Sequence, residues 1–160
     1  MARTPFTIRP ARADEAAALT ALCVRAKGHW GYDAAFMEMS ARALAVSAAD
    51  IEAGVVWVAV DGGDAPLGVA ELAVVDTATA DLDKLFVDPG AMGAGVGAAL
   101  LRFVAAEAGR GGRRVMTVLA DPNAAPFYER MGARFQRMAP SDSIPGRELP
   151  LYVFDVGGPP

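Results

Sequence analysis

The chain carries one cysteine and one histidine in 160 residues. A lone Cys23 can form no internal disulfide, which fits a reducing cytoplasm. No apolar run approaches the roughly 20 residues that a membrane-spanning helix needs. The opening "MARTPFTIRPARADEAA" lacks the apolar segment of a secretory signal. A basic excess is also missing, because 15 Lys and Arg face 19 Asp and Glu for a net charge of −4. That balance argues against nucleic acid or an anionic membrane surface as a partner. Internal repeats and charge blocks are absent too. With 53% apolar and 21% charged residues, the remaining class is a globular domain large enough for one core. The expectation is a single cytoplasmic domain over 1–156, followed by a flexible tail at 157–160.

What is abundant is glycine, and it is concentrated. Residues 88–104 read "DPGAMGAGVGAALLRFV". Each glycine inside a helix costs about 0.5–1 kcal/mol relative to alanine, so this stretch implies a close approach to backbone. Around it the pattern reads as alternating elements. "FTIRPAR" is a first strand, and Asp14 is placed to cap a helix that carries Leu19, Leu22, Cys23 and Ala26 on one face. "HWGYD" breaks that helix, and Asp33 caps a second through "AAFMEMSARALAV". "VVWVAV", the turn "DGGDAP" and "LGVAELAVV" form a hairpin, and "TADLDKLFVD" is a third meander strand. A helix over about 95–108 buries Val96, Leu100, Phe103 and Val104 and ends at "GRGG". "RVMTVLA" (strand), "NAAPFYERM" (short helix), "GARFQRM" (strand) and "LPLYVFDV" (strand) complete the chain. This order predicts an α/β (α+β) fold. Its sheet is mixed and mostly antiparallel, with about six or seven strands flanked by about four helices.

A glycine turn that feeds a helix N-terminus offers unpaired N–H groups and the positive end of the helix dipole, which suits a phosphate. A tight turn that merely lets helix and sheet pack closely explains the same glycines. Gly93, Gly95 and Ala98 also satisfy the dinucleotide pattern G-x-G-x-x-A, with Asp121 near the end of the next strand. Context opposes that reading. "DPGAM" separates the strand from the first glycine, several strands precede the unit, and too little chain follows for a second half.

"LFVDPGAMGAGVGAALL" resembles the acetyl-CoA-binding segment of the GNAT N-acetyltransferase superfamily, in which a strand and V-x-P precede [Q/R]-x-x-G-x-[G/A]. Gly95 and Gly97 occupy the two small positions. "DPNAAPFYERMGARF" resembles that superfamily's second motif, N-x-x-A/P-x-x-F-Y-x-x-x-G-F. The two motifs lie on successive strand-helix units in the family order, and the resemblance spans "FTIRPAR" to "LYVF". One departure is Met92, where the family usually carries Gln or Arg. Backbone donors do not depend on that side chain, but the grip on pyrophosphate does.

The resemblance implies an acetyl-CoA-dependent transfer of acetyl to a primary amine on a small molecule or protein, directly within a ternary complex. Met92, Gly93, Ala94, Gly95, Val96, Gly97 and Ala98 would line the pyrophosphate, and Leu85, Phe86 and Val87 would pair with the pantetheine arm. Asn123 is either a cofactor contact or a helix cap. Phe127 and Tyr128 are either the aromatic face of a short helix or, by motif position, a cofactor wall and the acid that protonates the departing thiolate. For the base the candidates are Asp81, Glu71 and then Asp83. A carboxylate in the apolar run "VAELAVV" is costly unless paired or useful, and Lys84 is close enough in sequence to be a partner. In this superfamily the segment between the first two helices walls the acceptor site, which here holds Lys27, His29, Trp30 and Tyr32. Trp30 fits equally a hydrophobic plug or an aromatic wall for a cationic amine. Arg147, in "PSDSIPGRELP", either grips a substrate carboxylate or pins its loop. "HWGYD" and this loop are similar to segments of small bacterial members of the family. Cys23, on an apolar helix face, reads as a structural thiol. No metal is required, a homodimer is left open, and two other functions compete: a silent CoA-binding sensor module and a dinucleotide enzyme.

Overall fold

A computed structural model describes residues 5–157. Seven strands form one sheet in the order β1-β2-β3-β4-β5-β7-β6. They are β1 (Thr7–Pro10), β2 (Val56–Val60), β3 (Pro66–Val74), β4 (Thr79–Val87), β5 (Val115–Leu119), β6 (Arg134–Pro140) and β7 (Glu148–Asp155). Of the pairings that fix this order, β4 with β5 is parallel, while β1–β2, β2–β3, β5–β7 and β6–β7 are antiparallel. The helices are α1 (Ala16–Gly28), α2 (Ala34–Leu44), α3 (Ala48–Glu52), α4 (Val96–Arg110) and α5 (Ala125–Arg130). The mixed, mostly antiparallel sheet agrees with the expectation. Contacts divide the chain into two compact units, 1–71 with 84–101 and 72–83 with 102–160.

In the first unit, alternating residues of β2 and β3 meet the apolar face of α1. Leu19, Leu22, Cys23, Val56, Val58 and Val69 belong to one buried cluster, with Phe86 packed against it. Cys23 is fully buried there, as a structural thiol should be. Asp14 does not cap α1. It sits in a 3-10 turn, Ala13–Glu15, and the side chain of Glu15 reaches back to the Arg12 N–H at 2.7 Å. Asp33 caps α2 as expected, accepting from the Phe36 N–H at 2.8 Å. The sequence reading missed α3, whose Ser47 cap accepts from the Asp50 N–H.

In the second unit, β7 inserts between β5 and β6, which leaves β6 at the sheet edge. Its Phe135 and Met138 are accordingly exposed. Met116, Val118, Tyr152 and Phe154 supply much of that unit's buried apolar surface. The Tyr128 ring stands edge-on to Phe154 at 6.3 Å. Of the expected tail, 158–160 lie outside the described residues.

Candidate active-site residues

In the first unit, β4 ends at Val87 and the chain turns through a short 3-10 helix, Pro89–Ala91, into α4. Asp88 organises this turn. Its N–H donates to the Leu67 carbonyl at 2.8 Å, and its carboxylate accepts from the Gly90 N–H at 3.0 Å and pairs with Arg25 at 2.6 Å. The Arg25 guanidinium and the Gly90 N–H hold the Asp88 carboxyl below the ordinary carboxylate range. Gly93 and Gly95 then adopt φ of 83° and 85°, a region that strains any residue with a Cβ. No atom lies within 4 Å of where a Gly93 Cβ would stand. Val96, Gly97 and Ala98 open a 15-residue helix, so their N–H groups have no acceptor inside it. Met92 is 47% exposed beside this row of donors. The geometry suits an anionic group approaching backbone.

Strand β4 pairs with β5 only over Thr79–Asp81. Leu85, Phe86 and Val87 continue β4 beyond that ladder and are half-buried. Glu71, on β3, is buried and forms an ion pair with the equally buried Lys84 at 3.5 Å. Lys84 is therefore an ion-pair partner of Glu71, the second of the three base candidates. Near the end of α1, Lys27 Nζ lies over the rings of Tyr32 and of Phe36 in α2, at 5.2 and 5.7 Å from their centroids, and those rings stack at 3.9 Å. His29 meets Trp30 edge-on at 5.5 Å. Trp30 is 42% exposed, which does not fit a plug and leaves an aromatic surface.

In the second unit, parallel register sets Asp81 opposite Thr117, whose hydroxyl donates to the Asp81 carboxylate at 2.7 Å. Burial pushes the Asp81 carboxyl up. The Thr117 hydrogen bond opposes that rise, and Asp83 and Asp142 reinforce it. Tyr128 is 5% exposed, and its hydroxyl makes no hydrogen bond to any described residue. Burial, then Asp121 and Asp81, push the phenol well above the tyrosine range. It therefore stays protonated at neutral pH. Phe127 stands edge-on to it at 5.2 Å. Asn123 is not a helix cap, because Ala124 holds that position in α5. Instead its N–H and Nδ2 both donate to Asp121 Oδ1, at 2.8 and 3.0 Å. Arg147 faces the other Asp121 oxygen at 3.9 Å.

The sequence reading did not single out Asp88 with Arg25, Thr117 or Asp142. Asp88 and Arg25 are 63 residues apart. Thr117 becomes informative only through a parallel register, for which a single sequence holds no local signal.

Residues 52–132, just over half of the chain, match the model of an acetyltransferase (GNAT) domain. The chain belongs to the GNAT acetyltransferase family. It is thus an acyltransferase by family, and the dinucleotide alternative is displaced, since this sheet is not a doubly wound parallel one. Solved structures share the fold over nearly their whole length. A GCN5-related N-acetyltransferase from Rhodopseudomonas palustris is 24% identical, with a TM-score of 0.76 over 97% of this chain and 98% of that one. PaiA N-acetyltransferase from Thermoplasma acidophilum, solved with coenzyme A, is 14% identical with a TM-score of 0.76, covering 94% and 99%. YncA from Salmonella typhimurium, solved with acetyl-CoA, is 22% identical with a TM-score of 0.69, covering 98% and 96%. At these identities the likeness concerns the fold. The sequence matches no curated protein. Among the described residues, no helix is long and apolar enough to cross a membrane, and no group of three or more His, Cys, Asp or Glu is arranged to hold a metal.

Proposed function

We propose that this GNAT protein is an acetyl-CoA-dependent N-acetyltransferase of the cytoplasm. In this reading residues 1–156 act as one acetyltransferase domain and move an acetyl group directly to a primary amine. The observation that carries this is the turn after β4, where Gly93 and Gly95 take left-handed conformations just before a 15-residue helix. That backbone fits a pyrophosphate through the N–H groups from Gly93 to Ala98, whatever the side chain at Met92. Structural relatives solved with coenzyme A or acetyl-CoA support the same cosubstrate. Leu85, Phe86 and Val87, which extend past the β4–β5 ladder, offer backbone groups to the amide-bearing pantetheine arm.

Bound acetyl-CoA would supply an activated thioester carbonyl and a thiolate leaving group. The amine must lose a proton, the carbonyl oxygen needs a donor, and the sulfur needs a proton as the C–N bond forms and the C–S bond breaks. Asp81, held by Thr117, takes the amine's proton directly or through a water. Glu71 is the second candidate, with its pairing to Lys84 favouring a structural role. Asp83, exposed on β4, is third. Tyr128, kept protonated by burial, gives its proton to the sulfur. A backbone N–H among residues 85–87 serves the carbonyl oxygen. Asn123 and Phe127 contact the cofactor, while His29, Trp30, Tyr32 and Arg147 contact the acceptor.

The test is a thermal-shift titration with acetyl-CoA, CoA, NAD and NADP, followed by thiol release in an amine screen. A ligand at 100 times its Kd stabilises the folded state by about 2.7 kcal/mol. Stabilisation by the CoA pair alone is expected. A response to NAD without CoA, or to none of the four, overturns the proposal.

A further inference from the structure

In the first unit, Asp88 is the point at which β3 and α1 are tied to the glycine turn. Its N–H donates to the Leu67 carbonyl of β3 at 2.8 Å. Its two carboxylate oxygens have separate tasks. Oδ1 accepts from the Gly90 N–H at 3.0 Å, while Oδ2 accepts from Arg25 Nη2 and Nε of α1, at 2.6 and 3.2 Å. The hydrogen bonds that follow are local to the turn. The Ala91 N–H reaches the Asp88 carbonyl at 2.8 Å, and those from Met92 to Pro89 and from Ala94 to Ala91 are long, at 3.4 Å each.

Arg25 lies in the last turn of α1, where the helix dipole favours a cation. Its side chain is 53% exposed and that of Asp88 26%. An ion pair this open to solvent adds little to global stability, so its effect is local. The turn it serves needs local help. Gly93 and Gly95 stand at φ of 83° and 85°, and glycine has more backbone freedom to lose than any other residue. Residues 89–98, "PGAMGAGVGA", carry no charged side chain that could brace the turn from within. A backbone that holds its binding geometry only part of the time binds with an affinity reduced by that fraction.

Resting on the acetyl-transfer reading above, we propose that Arg25 is a positioning residue for the cofactor: through Asp88 it holds the turn in the arrangement that presents the Gly93–Ala98 N–H groups to the pyrophosphate. Arg25 acts on the Asp88 carboxylate, and Asp88 in turn fixes Gly90 and the start of the turn. A guanidinium that instead attracted the phosphates through space would make the opposite prediction for Asp88. Its negative charge would then repel the ligand, and removing that charge would tighten binding.

The test is a calorimetric titration of CoA into the full chain and its Arg25→Met, Asp88→Asn and double variants, with urea unfolding of each alongside. Asn offers one side-chain acceptor oxygen where Asp88 uses two, so either Gly90 or Arg25 loses its partner. Each single variant should bind CoA roughly threefold or more weakly than the parent, as a turn that is less often in its binding geometry requires. Urea midpoints should stay close to the parent's. The double variant should bind like the singles, because both substitutions break the same contact. Four results overturn the inference and leave the acetyl-transfer reading standing: Arg25→Met binding CoA as the parent does, Asp88→Asn binding it more tightly, single losses that multiply in the double variant, or a loss of affinity matched by a loss of global stability. A parent chain that binds no CoA sinks the acetyl-transfer reading and this inference with it.

Discussion

The Glu71–Lys84 pair offers a direct separation of structure from catalysis. Both residues are 5% exposed and their charged atoms are 3.5 Å apart. At an effective dielectric near 20 their attraction is about 5 kcal/mol. Desolvation costs several kcal/mol per ion, so the pair's net contribution is close to zero. Removing one member of a buried ion pair costs about 3–5 kcal/mol. For a chain of this size, each kcal/mol moves Tm by about 2–4 °C. Lys84→Met should therefore lower Tm by roughly 6–20 °C, and Glu71→Leu by a similar amount. The double variant should return to within about 1–2 kcal/mol of the parent or exceed it. Urea unfolding of the four proteins completes the cycle, and turnover of the double variant supplies the functional arm. Retained turnover in the folded double variant would make Glu71 structural and leave Asp81, then Asp83, as candidates for the base. A Lys84→Met cost below 1 kcal/mol, or a double variant no better than the singles, would refute the reasoning.

Other perturbations test neighbouring claims. Tyr128→Phe removes a hydroxyl with no hydrogen bond among the described residues. Stability and acetyl-CoA affinity should hold while turnover falls at least tenfold, and unchanged turnover at saturating acceptor would take Tyr128 out of the mechanism. Asp81 has a raised folded-state pKa, chiefly from burial, against an ordinary value near 3.8. The folded chain thus binds that proton more tightly than the unfolded one, and the carboxylate's cost appears as pH rises through the raised value. Asp81→Asn should accordingly unfold at higher urea than the parent at pH 8, with the gap closing near pH 3.5, while losing turnover. A lower midpoint at pH 8 would mean that the Thr117 hydrogen bond outweighs burial. In Gly68→Ala the new Cβ would stand 2.9 Å from Leu100 Cδ1 and Val96 Cγ1 and 3.1 Å from the Phe86 carbonyl. The expected cost is about 1–3 kcal/mol, with weaker acetyl-CoA binding because the first turn of α4 must shift. Loss of stability with unchanged affinity would separate this packing from the cofactor site.

The glycine turn was legible because its cause is local. Positive φ at Gly93 and Gly95 and an open helix end are properties of consecutive residues, and motif spacing reports them directly. Asp33 was legible for the same reason, since a cap and the N–H it serves lie three residues apart. Asp14 misled because Glu15 competed for the same helix start and reached back to the Arg12 N–H. The insertion of β7 between β5 and β6 was not legible. "GARFQRM" and "LYVFDV" each satisfy a strand pattern, and nothing in either names its neighbour. Trp30 fitted a plug or an aromatic wall equally, and only its exposure in the fold speaks against the plug. The pairings of Thr117 with Asp81 and of Arg25 with Asp88 depend on tertiary register and are invisible before it exists.

The parts that were legible and those that were not differ in what a substitution can change. The proposed cofactor contacts are backbone groups of a turn and a strand, so they require glycine where φ is positive and little else. In that reading Met92 can stand where the family prefers a polar residue. The acceptor side is different. In the acetyl-transfer reading proposed above, Asp81 and Arg147 would act there through side chains, which substitution can alter without changing the backbone. Family membership therefore fixes what is donated more firmly than what receives it. The acceptor has to be read from this chain's own side chains, which the amine screen addresses and a further comparison of folds does not.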